Sequence, residues 1–307
     1  MQTTFAPHGP AARELLDLER LLIFGGALIF LLVLAAIAAA LVAPHSVRRQ
    51  LSRPRTIVAG GAVFPLIVLS ALLAYALAAT RDAIGDRREP ALRIEVTGLQ
   101  WWWRVRYLDA AGSHEFETAN EVRIPVDRTI EFVLRSEDVI HSFWIPGLAG
   151  KLDMFPGRTT TLRVRADRPG TLRGQCAEYC GTAHAWMALY AVVSPAEEFE
   201  RWRQRQLQDA GSDSAARAEG ERLFHAHGCG WCHTIRGTEA AGRLGPDLTH
   251  VGGRLSIGAA TLPNNAGTIA GWIASNQHIK PGNLMPPIQS LSGPELLVLA
   301  QYLAELR

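Results

Sequence analysis

The sequence predicts a multi-domain membrane protein in three parts: a two-helix transmembrane hairpin, an all-β sandwich or barrel, and a small all-α domain. Three observations predict it. Residues 21–43 and 56–80 form two long runs without a charged side chain. Much of 92–193 alternates apolar and polar residues with period two. A Cys-x-x-Cys-His motif, Cys229-Gly230-Trp231-Cys232-His233, lies between two segments with helical patterns.

Length and composition agree with this division. A chain of 307 residues suggests two or three domains. Hydrophobic content of 48% is high for a soluble chain and directs attention to membrane spans. The formal net charge of +2 gives no reason to expect nucleic acid as a partner. Four cysteines fall in two close pairs, neither of which reads as a disulfide framework. No structural disulfide is expected, although the parts outside the membrane are expected to face an oxidising compartment.

In chain order, residues 1–20 form a short mixed segment. No basic region precedes a small-residue cleavage site, so no ordinary signal peptide is expected, and a processed precursor stays open. Runs of this length cross a hydrocarbon core of roughly 30 Å at ~1.5 Å per residue. Buried core helices are the plainer alternative, and uncharged runs this long argue against it. Between them, 44–55 carries Arg48, Arg49, Arg53 and Arg55 and no acid. The positive-inside rule puts that loop in the cytoplasm and everything after Arg81 on the outer face. Apart from Tyr75 neither span holds an ionisable group, so the chain offers no obvious proton path of its own.

From about 90 to 196 the pattern becomes that of short strands. Leu92, Ile94 and Val96 alternate with Arg93, Glu95 and Thr97; Ile130, Phe132 and Leu134, and Leu162, Val164 and Ala166, repeat the alternation. With Gly and Pro turns at this spacing, an antiparallel sandwich or barrel follows.

Near the end of that region, Cys176-Ala177-Glu178-Tyr179-Cys180-Gly181-Thr182-Ala183-His184-Ala185-Trp186-Met187 places two thiols, an imidazole and a thioether in twelve residues. This is the soft ligand set that suits copper. Two thiolates on one short loop can bridge two metal ions. The best upstream candidate for a second imidazole is His141, in Asp138-Val139-Ile140-His141-Ser142. A Cys176–Cys180 disulfide and a tetrahedral zinc site are the competing readings; the first leaves His184 and Met187 idle, and zinc has little use for Met.

Together these motifs resemble subunit II of the haem-copper cytochrome c oxidases. The resemblance implies a cupredoxin-like barrel carrying the dinuclear CuA centre on His141, Cys176, Glu178 (through its carbonyl), Cys180, His184 and Met187. It gives the Glu178 side chain a further role at a magnesium or manganese ion shared with subunit I, as suits a hard oxygen ligand. Gly98-Leu99-Gln100-Trp101-Trp102-Trp103 resembles the family's aromatic stretch, with Leu99 where His is usual and Trp102 where Tyr is usual. The first Trp of that stretch is associated with electrons arriving from cytochrome c, which marks Trp101; the alternation alone leaves Trp101 and Trp102 both open, with core packing as the plain alternative. Lys151-Leu152-Asp153-Met154-Phe155-Pro156-Gly157-Arg158 resembles a segment near subunit I. There Asp153 and Arg158 would reach that subunit's haem propionates or bound water, against a solvated salt bridge.

Residues 197–214 are expected to form a charged, helix-prone linker ending in Ala210-Gly211-Ser212-Asp213-Ser214. The domain from 215 to 307 follows. Its Cys-x-x-Cys-His motif is the attachment signature of a c-type haem, both thiols adding to the vinyl groups and His233 reaching the iron; a thioredoxin-like or zinc site is the alternative. The order of segments resembles a class I cytochrome c. That resemblance pairs Gly220 and Phe224 with Tyr302 where the terminal helices cross. It makes Pro246 the carbonyl that holds the ligand His and Met285 the axial thioether. Leu296, Leu299 and Leu303 give the last helix one apolar face. His225, His227, His250 and His278 are expected on the surface or in packing.

Taken over the whole chain, the resemblance implies a caa-type subunit II. Electrons would pass from a soluble or membrane-bound cytochrome c donor through one covalent haem c and CuA to subunit I, with subunit III a further partner. Oxygen reduction and proton pumping would lie in subunit I. The expected location is a bacterial inner membrane, multi-pass, with the metal domains periplasmic. Quinol-oxidase subunit II would lack the copper ligands. A tethered copper-binding or redox-sensing protein, and a nitric or nitrous oxide reductase component, stay open.

Overall fold

The computed structural model describes residues 3–83, 88–210 and 215–307. Helix α1 spans Pro10–Val42, with Pro at its first helical turn, where the missing N–H costs nothing. It therefore starts well before the apolar run, and its first turns take in the second half of the mixed N-terminal segment. Those turns are fastened to the β domain. The His8 N–H donates to the Gly147 carbonyl at 2.6 Å, and the Asp167 N–H donates to the His8 carbonyl at 2.8 Å. Arg13 pairs with Asp167, while Ala12 and Leu16 are buried.

Two short helices, α2 (His45–Leu51) and α3 (Pro54–Val58), make the arginine-rich turn. A π-helical turn at Ala59–Val63, containing the Gly60-Gly61 pair, leads into α4 (Phe64–Ala83). Both long helices are apolar enough to cross a membrane, and their spanning stretches bury no residue in this chain. Side chains such as Phe24, Leu41 and Leu66 stand outward, as lipid or partner helices require.

Ten strands build the next domain: β1 (Leu92–Leu99), β2 (Trp102–Leu108), β3 (His114–Ala119), β4 (Glu121–Pro125), β5 (Thr129–Ser136), β6 (His141–Trp144), β7 (Leu152–Met154), β8 (Thr160–Arg165), β9 (Gly170–Cys176) and β10 (Ala188–Ser194). They form two five-stranded sheets, ordered β3-β2-β1-β5-β8 and β4-β10-β9-β6-β7. The β1–β5 and β4–β10 pairs are parallel and the other pairs antiparallel, so the domain is a β-sandwich of the cupredoxin-like kind.

The alternating residues face inward as the period-two pattern requires: Ile94, Val96, Ile130, Phe132 and Leu134 are fully buried. The outer face is less simple. Glu95 is also buried, because Arg106 and Arg135 reach it from neighbouring strands at 3.3 Å. Glu131 is likewise held between Arg93 and Arg163, at 3.1 and 2.7 Å. Opposite charges in cross-strand register make this a ladder of sheet-stabilising pairs.

Helix α5 (Ala196–Leu207) is not a free linker. Its Phe199 and Trp202 are buried beside Tyr107 and Phe116, with Trp202 5.3 Å from the Tyr107 ring. The charged face conceals an apolar pair three residues apart, which suffices to dock one side of a helix. Of the expected linker, 211–214 lies outside the described residues.

The C-terminal domain packs α6 (Ala215–Ala226), α7 (Ala266–Ile279) and α8 (Gly293–Glu305) with a small β11–β12 hairpin (Ser256–Ile257, Leu262–Pro263). Helices α6 and α8 cross so closely at Gly220 that a Cβ there would stand 2.3 Å from the Tyr302 Cβ. Phe224 meets the Tyr302 ring at 6.5 Å, giving the crossing that the class I cytochrome c pattern implies. A reciprocal capping box between Ser292 and Glu295 starts α8.

Candidate metal and haem sites

The copper-type loop hangs between β9 and β10. Its ends are tied where Cys176 N–H donates to the Met187 carbonyl at 2.8 Å. Pairing of β6 with β9 sets Phe143 opposite Cys176 and brings His141 alongside the loop. Cys176 Sγ and Cys180 Sγ lie 3.7 Å apart and unbonded. His141 Nδ1 is 3.8 Å from Cys176 Sγ, and His184 Nδ1 is 3.5 Å from Cys180 Sγ on the other side. Met187 Sδ is 3.8 Å from Cys180 Sγ, and the Glu178 carbonyl oxygen is 3.2 Å from Cys176 Sγ. Two thiols, two imidazoles, a thioether and a carbonyl thus converge.

The electrostatics suit a cation. A hydrogen bond from Cys180 is the main influence lowering the Cys176 thiol to about 4, against burial and with help from His141. The same bond pushes the Cys180 thiol upward, and burial adds to the rise. A metal ion bound between the two sulfurs would displace their protons. His141 Nε2 donates to Asp138 Oδ1 at 2.7 Å, leaving Nδ1 free to ligate. Burial disfavours charge on His141, but the bonds to Asp138 and Cys176 outweigh it and raise its pKa.

Glu178 directs its side chain outward, where Lys151 bridges it at 3.1 Å to Asp153 at 3.2 Å. Arg158 lies over the Phe155 ring at 5.9 Å. The three tryptophans have separate places. Trp103 is fully buried against Phe143, and Trp102 lies under the Arg104 guanidinium at 5.1 Å. Trp101 lies against the copper loop, its indole N–H donating to the Cys180 carbonyl at 2.9 Å. A Cβ at Gly181 would be 3.0 Å from its ring, and one at Gly282 of the C-terminal domain 3.4 Å. Trp101 therefore packs against both the copper loop and the loop that carries Met285.

In the C-terminal domain His233 Nδ1 donates to the Pro246 carbonyl at 2.8 Å, which leaves Nε2 as the free nitrogen. Gly245 is needed beside it, since a Cβ there would fall 2.4 Å from the imidazole. Burial lowers the His233 pKa and favours the neutral, ligating ring. Met285 is fixed through Trp272, whose N–H points at its sulfur at 3.3 Å, and through Asn283, which accepts its backbone N–H at 3.0 Å. Trp231, Leu244 and Leu284, next to Cys232, Gly245 and Met285 in sequence, stand largely exposed, at 85%, 77% and 84%. Apolar side chains left open beside a free imidazole and a thioether fit a flat apolar group such as haem. The other histidines have partners elsewhere: His227 meets Ser290, His278 meets Ser275, and His250 donates to the Gln208 carbonyl. His225 packs edge-on against Phe224.

Two residues with clear contacts had no role in the sequence reading. Asp138 stands three positions before His141, a spacing that could have marked it as the imidazole's support. Lys280 is buried between the domains, and the sequence offered only its rarity: the chain's two lysines are Lys151 and Lys280.

Residues 106–194 match the family described as cytochrome c oxidase subunit II, periplasmic domain, and residues 217–307 match cytochrome c. Cytochrome c oxidase subunit 2 of Alkalihalophilus pseudofirmus is 34% identical over 230 residues, covering 75% of this chain and 65% of that protein. The Bacillus subtilis protein of the same name is 30% identical over 246 residues, covering 76% of this chain and 68% of its own length. The chain thus spans about two thirds of the curated relatives it matches. The copper-type loop on its β-sandwich, the cytochrome c domain and these relatives together establish that the chain belongs to the cytochrome c oxidase subunit II family, in a form that carries a C-terminal cytochrome c domain.

Proposed function

We propose that this chain is the electron-relay subunit of a caa-type terminal oxidase. Cys229, Cys232, His233 and Met285 would hold one covalent haem c, and His141, Cys176, the Glu178 carbonyl, Cys180, His184 and Met187 would hold a dinuclear CuA centre; together these would carry electrons from a c-type cytochrome donor to subunit I. Oxygen reduction and proton pumping belong to subunit I, and subunit III is a further partner. The outward carboxylate of Glu178 is this chain's ligand to a magnesium or manganese ion shared with subunit I. The apolar helices α1 and α4 anchor the chain in a bacterial inner membrane, with both metal domains on the periplasmic face.

The observation that carries this reading is the convergence of two sulfurs, two imidazoles and a thioether on one loop and its neighbouring strand. Bound copper and haem supply one-electron couples there. The protein's part is to hold the donors still. The β-sandwich fixes both ends of the loop, Asp138 sets the His141 ring, and the Pro246 carbonyl sets His233. Rigid ligands limit reorganisation when charge changes, which favours rapid transfer. Trp101 occupies the space between the two loops and is the residue through which the copper loop receives electrons.

Isolation from the membrane in mild detergent tests the assignment. The relay predicts co-purification with a large haem-bearing subunit and oxidation of reduced c-type cytochrome by the complex. A chain that always purifies alone contradicts it.

A further inference from the structure

We infer that Lys280 is a positioning residue for transfer between the two domains, clasping the haem domain onto the copper domain in a single pose. The inference rests on the relay reading above. Lys280 is 2% exposed, at the C-terminal end of α7. Its Nζ donates to three main-chain carbonyls: Trp101 at 2.6 Å, Trp186 at 2.8 Å and Gly258 at 3.1 Å. An ammonium has three donors, and all three are used. A planar guanidinium would not match three acceptors gathered around one point.

The acceptors lie at informative places. Trp101 and Trp186 belong to the β domain, and Gly258 belongs to the C-terminal domain. Trp186 sits between the candidate ligands His184 and Met187. Trp101 also holds the Cys180 carbonyl through its indole. On the other side, Lys280 opens the loop that presents Met285. Its carbonyl accepts from the Asn283 side chain at 2.8 Å, and Asn283 in turn accepts the Met285 N–H at 3.0 Å. One ammonium therefore joins the copper loop, the intervening tryptophan and the axial-ligand loop.

Other bonds cross the same boundary. Arg104 donates to the Arg243 carbonyl at 2.7 Å, Arg173 to the Ala260 carbonyl at 3.0 Å, and the Leu255 N–H to Glu121 at 2.7 Å. These hold the domains together without reaching the Met285 loop. Burying an ammonium is costly unless every donor is satisfied, so undocking would strip two of its three acceptors from the cation and leave the Trp101 and Trp186 carbonyls unpaired. With haem and copper bound, the transfer would move one electron, the haem giving it up and the copper pair taking it. No proton moves and no bond forms or breaks at Lys280, which only holds the separation.

The test uses the assembled, metal-loaded oxidase with Lys280→Met, which keeps the stem and removes the donors. Lys280→Gln replaces it if that variant does not assemble. Nitroxide labels on Ala111→Cys and Gln301→Cys, both exposed positions on the two domains, report the interdomain distance by pulsed EPR. The clasp predicts one narrow distribution with Lys280 and a broad one without it. It also predicts haem-to-copper transfer slowed tenfold or more, with copper content, copper EPR and haem spectrum unchanged. A distribution that stays narrow overturns the clasp, and an unchanged rate overturns the positioning role. Absence of copper or haem from the unsubstituted complex would instead contradict the relay reading, while the distance measurement would still decide the clasp.

Discussion

In the β domain the chain alone gathers its candidate ligands: His141, Cys176 and Cys180 have ligand atoms within 4.8 Å of one another. In the C-terminal domain Cys229, Cys232 and His233 form no such cluster among the described residues, and His233 is fixed instead by the Pro246 carbonyl. The difference follows from what each site must hold. Small ions need donors in contact, which a hairpin loop closed by Cys176 and Met187 supplies. A macrocycle needs its ligands kept apart, with apolar side chains such as Leu244 and Leu284 left to cover its faces. A metal site of the first kind is largely pre-formed; the second is completed by its cofactor.

The sharpest way to break this contrast is to remove a sulfur. Cys176→Ser is expected to abolish the dinuclear copper signal while haem content stays at the unsubstituted level. Metal analysis and haem absorbance on the same sample check it, and loss of both groups together would show that the sites are not built independently. A smaller effect is expected of Asp138→Asn, which weakens the support of His141. Copper affinity should fall about 10- to 100-fold, as for other second-layer partners of metal-binding histidines. Competition with a chelator measures it, and an unchanged affinity would mean that the β6–β9 pairing alone orients the ring.

The C-terminal domain should respond to packing instead. Gly220→Ala drives a methyl into Tyr302, and overpacking of this kind costs about 1–3 kcal/mol. Thermal unfolding followed at the haem should show a lowered midpoint, with copper EPR unaltered. The smallest effect concerns pH. Burial holds His250 below the usual imidazole pKa, so the folded state takes up its proton less readily than the unfolded state. The stability concerned is present above the unfolded value of about 6.5 and is lost as pH falls below it. His250→Gln should flatten the acid side of the haem-domain stability curve relative to the unsubstituted chain; identical curves would assign the acid response to other groups.

Much of this was legible because it is local. The candidate copper ligands other than His141 lie within twelve residues, and the haem-attachment motif within five, so their spacing points to their chemistry. Period-two alternation likewise placed Ile94, Phe132 and Val164 inward. What escaped depends on distant segments meeting. Phe199 and Trp202 are two apolar residues in a charged helix, and only their fit against Tyr107 and Phe116 makes that helix part of the β domain. Glu95 reads as an outward residue until arginines from adjacent strands cover it. Lys280 and Gly282 gain meaning only when the C-terminal domain docks and sets them beside Trp101, which no single stretch of sequence encodes.

The most direct test of the relay is the copper-to-haem ratio of the purified oxidase subunit, taken together with its copper EPR spectrum. The account predicts two coppers per haem c, with one unpaired electron shared by both copper nuclei. A single copper with a mononuclear spectrum, or no copper, would mean that Cys176 and Cys180 do not bridge metal ions, and would contradict it.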